Sequence, residues 1–183
     1  MIVLSFFSCT KEKKEKITIQ GVRKEGNLKY NFYKKNGKLN KTLEFINLCG
    51  KKYLNQGWYF NNSSDTIYEK SNFYKIIVEK NILKTNETSK ITIYYNPLLK
   101  NTVSGLLISN QNVDLDYCNL NAAKLDTIYF VDNKLQFYQS FKNKGKVRIG
   151  GYILEISKIL KNNDNRNEYD ERKVYLNITF EVK

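Results

Sequence analysis

The chain contains no histidine, and that absence removes much of enzyme chemistry. A Ser-His-acid triad, a Cys-His pair and a His-ligated metal all require an imidazole. Acid–base work would fall on carboxylates or lysines. Proline is nearly missing as well: Pro97 is the single one, and only nine glycines are spread through 183 residues. That composition excludes collagen-like and low-complexity classes. No Gly-, Pro- or Ser-rich linker divides the body, and no internal repeat is visible. No uncharged apolar run reaches the roughly 20 residues of a spanning helix. Arginine is scarce, at Arg23, Arg148, Arg166 and Arg172 alone, so lysine carries nearly all of the +13 net charge.

The lysine bias bears on partners. Arginine is the side chain that reads phosphate bidentately. A joint excess of Lys, Asn, Ile and Tyr follows the codon usage of an AT-rich genome, which makes basic proteins without selecting a ligand. Nucleic acid is therefore disfavoured as a partner. The charge is nonetheless uneven: residues 1–52 hold 13 basic and 4 acidic side chains, and residues 134–183 hold 11 and 6. Such basic ends suit anionic headgroups or lipopolysaccharide phosphates, where each nearby Lys is worth about 1 kcal/mol. A solvated lysine-rich surface is the alternative.

What is present begins at the N-terminus. Met1 to Ser8 is apolar and uncharged, Cys9 closes it, and Thr10-Lys11-Glu12-Lys13-Lys14-Glu15-Lys16 follows as a charged run. A hydrophobic segment, a small residue, Cys and a soluble tether resemble the maturation site of bacterial lipoproteins. Ser8 occupies the small position; Phe6 and Phe7 stand where that motif has an aliphatic and a small residue. The resemblance implies a diacylglyceryl thioether on Cys9, a cleaved remnant over 1–8, a tether over 9–16, and a Lys-bearing leader upstream of Met1. Two acyl chains anchor stably where one does not. The implied location is the cell envelope, attached to a membrane, with the Lys-Glu tract leaning toward surface display.

With Cys9 on lipid, Cys49 and Cys118 remain as an even pair in an oxidising compartment, a candidate disulfide. Two separate buried thiols are the other reading. Two cysteines without histidine cannot supply the four or so ligands of a structural zinc site.

From residue 17 onward the dominant signal is alternation with a period of two. Leu28, Tyr30 and Phe32 alternate up to Asn36-Gly37, a strong hairpin signal because both positions tolerate positive φ. Leu43, Phe45 and Cys49 are placed on the returning strand. Further strands are expected at 73–78, at 91–95 before Pro97, at 103–109 and around Ile128, Leu135 and Phe137. Val113, Leu115 and Tyr117 alternate with Asp114, Asp116 and Cys118, which puts the two carboxylates on one strand face. Apolar residues occupy both parities of 147–156, and Gly150-Gly151 marks a bulge or a close backbone approach. Asn162–Glu171 reads as a polar loop, and 174–182 as a long closing strand. Helical spacing is confined to one short turn near 65–71. The expected fold for 17–183 is an all-β, antiparallel sandwich, with an immunoglobulin-like arrangement as one form and a barrel as another.

The chemistry-bearing candidates are few. Asp114 and Asp116 are the tightest same-face carboxylates. The oxygen-rich stretch 163–171 fails the EF-hand template, with Arg166 inside it. No Gly-rich phosphate loop opens a helix. Trp58-Tyr59-Phe60 is a local aromatic cluster suited to packing or to stacking on a sugar. The leading expectation is a membrane-anchored, non-catalytic envelope module that binds a protein or glycan or serves an assembly, with no cofactor and no metal. A carboxylate-dependent glycan hydrolase using Asp114 and Asp116 is the second reading. A lysine-mediated binder of anionic envelope polymers is the third.

Overall fold

The computed structural model describes residues 17–25, 27–159 and 168–183. Cys9 and the 1–16 segment, and most of the 162–171 polar stretch, lie outside the described residues.

The fold is all-β, with the strands arranged in three sheets. Strands β1 (Ile17–Glu25), β2 (Leu28–Lys35), β3 (Lys38–Leu48) and β4 (Lys51–Tyr59) form a four-stranded antiparallel meander. Strands β5 (Phe73–Val78), β7 (Thr88–Asn96) and β10 (Lys134–Ser140) form a second sheet in the order β10-β7-β5. The third runs β6-β12-β11-β8-β9, from β6 (Ile82–Leu83), β8 (Thr102–Ser109), β9 (Leu125–Tyr129), β11 (Gly145–Ile159) and β12 (Glu168–Val182). Every pairing is antiparallel except the two-residue β6–β12 contact. This order is not that of the immunoglobulin sheets, whose strands are shared differently between two layers. Among the described residues the helical content is two 3₁₀ turns, Tyr68–Lys70 and Cys118–Ala122.

The five-stranded sheet is the middle layer. Its inner parity, with Leu106, Ile108, Ile149, Ile153, Val174, Leu176, Ile178 and Phe180 buried, packs on Ile91, Ile93 and Leu135 of the three-stranded sheet. Each such side chain contributes roughly 1.5–3 kcal/mol on burial. Its other face holds Tyr152 and Tyr175, which pack with Val113, Tyr117 and Leu120 against Ile46 of the meander. Burial on both faces explains why 147–156 is apolar in both parities.

Two hairpins turn on paired positive φ values, Asn36-Gly37 (50°, 80°) and Cys49-Gly50 (47°, 80°), and Asp132-Asn133 (49°, 60°) makes a similar tight turn as the chain passes from β9 to β10 of another sheet. These match type I′ turns, whose twist fits the flanking strands. Cys49 is thus a turn residue rather than the end of a strand. The Gly150-Gly151 pair makes a close approach, without a bulge: β11 keeps register with β12 throughout. A Cβ on Gly151 would lie 1.9 Å from the Leu107 carbonyl oxygen. Val113–Cys118 is not a strand. It is a connecting segment held by backbone bonds such as Val113 N–H to the Arg148 carbonyl, 3.0 Å. Strand β12 also begins at Glu168, earlier than the expected loop allowed.

Candidate functional site: a tyrosine cleft beside a buried polar hub

Beside the apolar packing around Ile46, polar side chains join the meander to the rest of the chain. Its key device is a bulge in β4. Glu44 pairs with Gln56 and Phe45 with Leu54, so Asn55 is the extra residue. A bulge sets two successive side chains toward the same side. Both Asn55 and Gln56 accordingly point inward and donate to Glu44 Oε1, at 2.8 and 2.9 Å. Asn55 then does a second job. Its Nδ2 donates to the Tyr175 carbonyl at 2.8 Å, and its Oδ1 accepts from the Tyr175 N–H at 2.7 Å. One side-chain amide thereby supplies the edge of β12 with the two bonds a neighbouring strand would give. Gln56 Oε1 accepts from the Tyr74 N–H at 2.8 Å, tying the meander to β5.

Asn72 is the hub beside this junction. Its backbone pairs both ways with Gly57, at 2.8 and 2.9 Å. Its Nδ2 donates to Tyr95 Oη at 2.9 Å, and its Oδ1 accepts from Arg172 Nε at 2.6 Å. Arg172 Nη2 reaches on to the Asn55 carbonyl at 2.9 Å, satisfying the bulge. Tyr95 donates to Glu155 Oε2 at 2.8 Å, and the Leu99 N–H donates to Glu155 Oε1. Glu44 and Glu155 are 2 % and 0 % exposed. Charges buried to this degree persist only when paired and hydrogen-bonded.

Burial raises the Glu155 pKa above its ordinary 4.5, although Tyr95, Leu99 and Arg172 all favour the charged form. A raised folded-state pKa means that ionisation is harder in the folded than in the unfolded chain. The associated stability is full below 4.5 and is lost as pH climbs through the folded-state value. Urea midpoints of the native protein should therefore fall over that rise. Glu155→Gln should flatten this component while costing about 1–3 kcal/mol for the disturbed hydrogen bonds. Parallel pH slopes for the two proteins would refute the assignment.

Around the corner from this hub lies a cleft of about 270 Å³. Its walls are Tyr117, Tyr152 and Tyr175, with Lys51, Lys173 and Asn121 also lining it and Cys49 at one end. The Tyr175 ring is the centre: Tyr53, Tyr117 and Tyr152 lie 5.3, 5.3 and 5.6 Å from it, centroid to centroid. Such tilted pairs add about 0.5–1.5 kcal/mol each beyond their burial. Tyr117 Oη accepts from Asn177 at 2.9 Å, and burial pushes its phenol up to about 12. Burial raises the Tyr175 phenol too. Both rings are neutral donors at ordinary pH. Tyr117 also has a φ of 60°, a left-handed conformation that a bulky residue adopts only when its surroundings impose it. Lys173 Nζ sits 5.2 Å over the Tyr152 ring and 3.0 Å from Glu171.

The Cys49–Cys118 disulfide closes the cleft, joining the β3–β4 turn to the 3₁₀ turn that follows Tyr117, with Cα atoms 4.9 Å apart. The Cys49 N–H also donates to the Asp116 carbonyl at 3.0 Å. Asn27 Nδ2 bonds the Leu115 carbonyl.

The carboxylates singled out from the sequence do not share a strand face. Asp114 is exposed in the connecting segment, and its N–H donates to Asn119. Asp116 Oδ1 accepts weakly from the Cys118 N–H at 3.4 Å, a local turn contact. Trp58 stacks on Phe73 at 5.9 Å and is half-buried. No group of three or more Cys, Asp or Glu side chains suited to a metal occurs among the described residues.

The hub and the cleft residues were missed at the level of residue type, yet two carried a signal. Glu44 has the parity of Thr42 and Ile46, and Glu155 that of Ile149 and Ile153; a charge in a core parity marks a buried polar junction. Comparison with known proteins gave no match: no family model fits the chain, and no curated protein or solved structure is similar to it.

Proposed function

We propose that the protein is a lipid-anchored envelope module that binds an acidic glycan through the tyrosine cleft, without catalysing a reaction. The observation that carries the binding half is the cleft itself. The half-buried Tyr152 and Tyr175 rings offer apolar surface for a pyranose over the buried Tyr117, the exposed Asn121 offers an amide, and the exposed Lys51, beside the Glu171-paired Lys173, offers positive charge for a carboxylate or phosphate. The disulfide and the hydrogen-bonded Tyr117 hold those groups in place before a ligand arrives, and preorganisation lowers the cost of binding. The anchoring half rests on the apolar segment ending at Cys9 and the charged tether after it.

Two measurements test the halves separately. Cells given radioactive palmitate should label the wild-type chain and leave a Cys9→Ser variant unlabelled; equal labelling removes the anchor. On a panel of acidic and neutral glycans, the purified domain should bind acidic members, and Tyr152→Ala should weaken that binding by about 1–3 kcal/mol. Affinity unchanged in Tyr152→Ala removes the cleft. Product formation from any panel member would replace binding with hydrolysis.

A further inference from the structure

The middle sheet ends in an unpaired strand, and we infer that β9 pairs with β9 of a second copy to form a two-fold dimer. The Phe130 N–H donates to the Ser104 carbonyl, and β9 is in register with β8 from Gly105–Tyr129 to Ser109–Leu125. The alternation of an antiparallel ladder then turns the backbone groups of Leu125, Thr127 and Tyr129 away from β8. Among the described residues nothing pairs with them. An unpaired edge is a template for another strand.

The apolar residues beside that edge are the second observation. Val131, Tyr129 and Val103 are 71 %, 67 % and 65 % exposed, Val131 being the highest among the large hydrophobics of the described residues. Tyr129 faces Gly105, two residues from Val103 on the same face of β8, and Val131 follows Tyr129 by two residues at the start of the turn in which its backbone pairs with Lys134. Ile156 is opposite Val103 and Leu154 opposite Gly105, which continues the patch onto β11. The outer face of this half of the sheet is apolar where the meander does not reach.

The occupant follows from the sequence of β9 itself. A two-fold axis at Thr127 sets Thr127 opposite its own copy and Leu125 opposite Tyr129 of the other chain. Asp126 falls opposite Ile128, so no like charges face one another directly. Thr–Thr and aromatic–aliphatic pairs are favourable cross-strand neighbours. The dimer would hold a ten-stranded central sheet with the two apolar patches joined across the axis. An isologous contact of this kind closes on itself and does not propagate.

Sedimentation velocity of the full chain over a concentration series tests this. A reversible monomer–dimer equilibrium is expected. Thr127→Pro removes an outward N–H without touching the β8 ladder, and should leave a monomer with native circular dichroism. Thr127→Lys places a lysine opposite its copy and should weaken dimerisation roughly tenfold or more, even if the proline variant fails to fold. A wild-type monomer at every concentration overturns the inference. So does a dimer that survives Thr127→Lys with unchanged affinity, which would put the contact elsewhere.

Discussion

Replacing Gly151 by Ala should destabilise the fold by about 4 kcal/mol or more, the range reserved for steric conflicts and lost networks. The new Cβ would sit 1.9 Å from the Leu107 carbonyl oxygen and 2.8 Å from the Ile108 Cα. Both are backbone atoms of β8 in the middle of the sheet, so neither can swing aside. Relief requires β8 and β11 to separate, and that opens the ladder under Ile108 and Ile153. Gly150→Ala is the internal control. Its Cβ would meet Val113 side-chain atoms at 3.1 Å and the Leu176 carbonyl at 3.3 Å, contacts that a few tenths of an ångström relieve. Its cost should stay near 1–2 kcal/mol. Denaturant melts of the two variants side by side measure the difference; equal midpoints would mean that the β8–β11 approach is looser than described.

Reducing the Cys49–Cys118 bond, or replacing both residues by serine, should lower the unfolding free energy by about 4 kcal/mol. The bond closes a loop spanning 69 residues, and the chain-entropy model gives that magnitude for a loop of such length. The loss should not be uniform. The bridge ties the meander to the segment carrying Tyr117, while the core between the other two sheets has no covalent help. Hydrogen exchange in the reduced protein should therefore rise first over 38–59 and 113–122, with β7, β11 and β12 still protected. A single cooperative loss of all protection would show that the layers unfold as one.

Sequence and structure agree where a single rule acts alone. Strict alternation located the strands at 91–95 and 174–182, because one buried face dictates every second residue, while short apolar runs marked those at 73–78 and 103–109. Asn36-Gly37 announced its hairpin for the same local reason. The connecting segment at 113–118 misled, since Val113, Leu115 and Tyr117 alternate without being a strand. Val113 is buried over Gly150 and Tyr117 in the cleft, each by a tertiary contact that no local pattern encodes. The layer count was hidden too. A middle sheet reads as apolar in both parities, and so does one strand of an ordinary core. The polar hub was written as isolated charges in core parities, and only the docking of β4 on β12 gives Glu44, Asn55 and Arg172 a shared purpose. Cys49 lay beyond the hairpin rule because positive φ at the first turn position is ordinarily the work of Asn, Asp or Gly.

The side-chain rung that Asn55 gives to Tyr175 has a consequence for the order of folding. The two residues are 120 positions apart, and the Tyr53–Lys173 bond spans the same separation. On a growing chain the meander is complete while its attachment site has not yet been made. Its own contacts are between neighbouring strands and form early, whereas closing so long a loop is slow. Until β12 emerges, Asn55 lacks the Tyr175 backbone groups that it bonds, although Cys118 is made earlier and is already available to Cys49. The first sheet to be synthesised thus completes its attachment only when the final strand of the chain arrives.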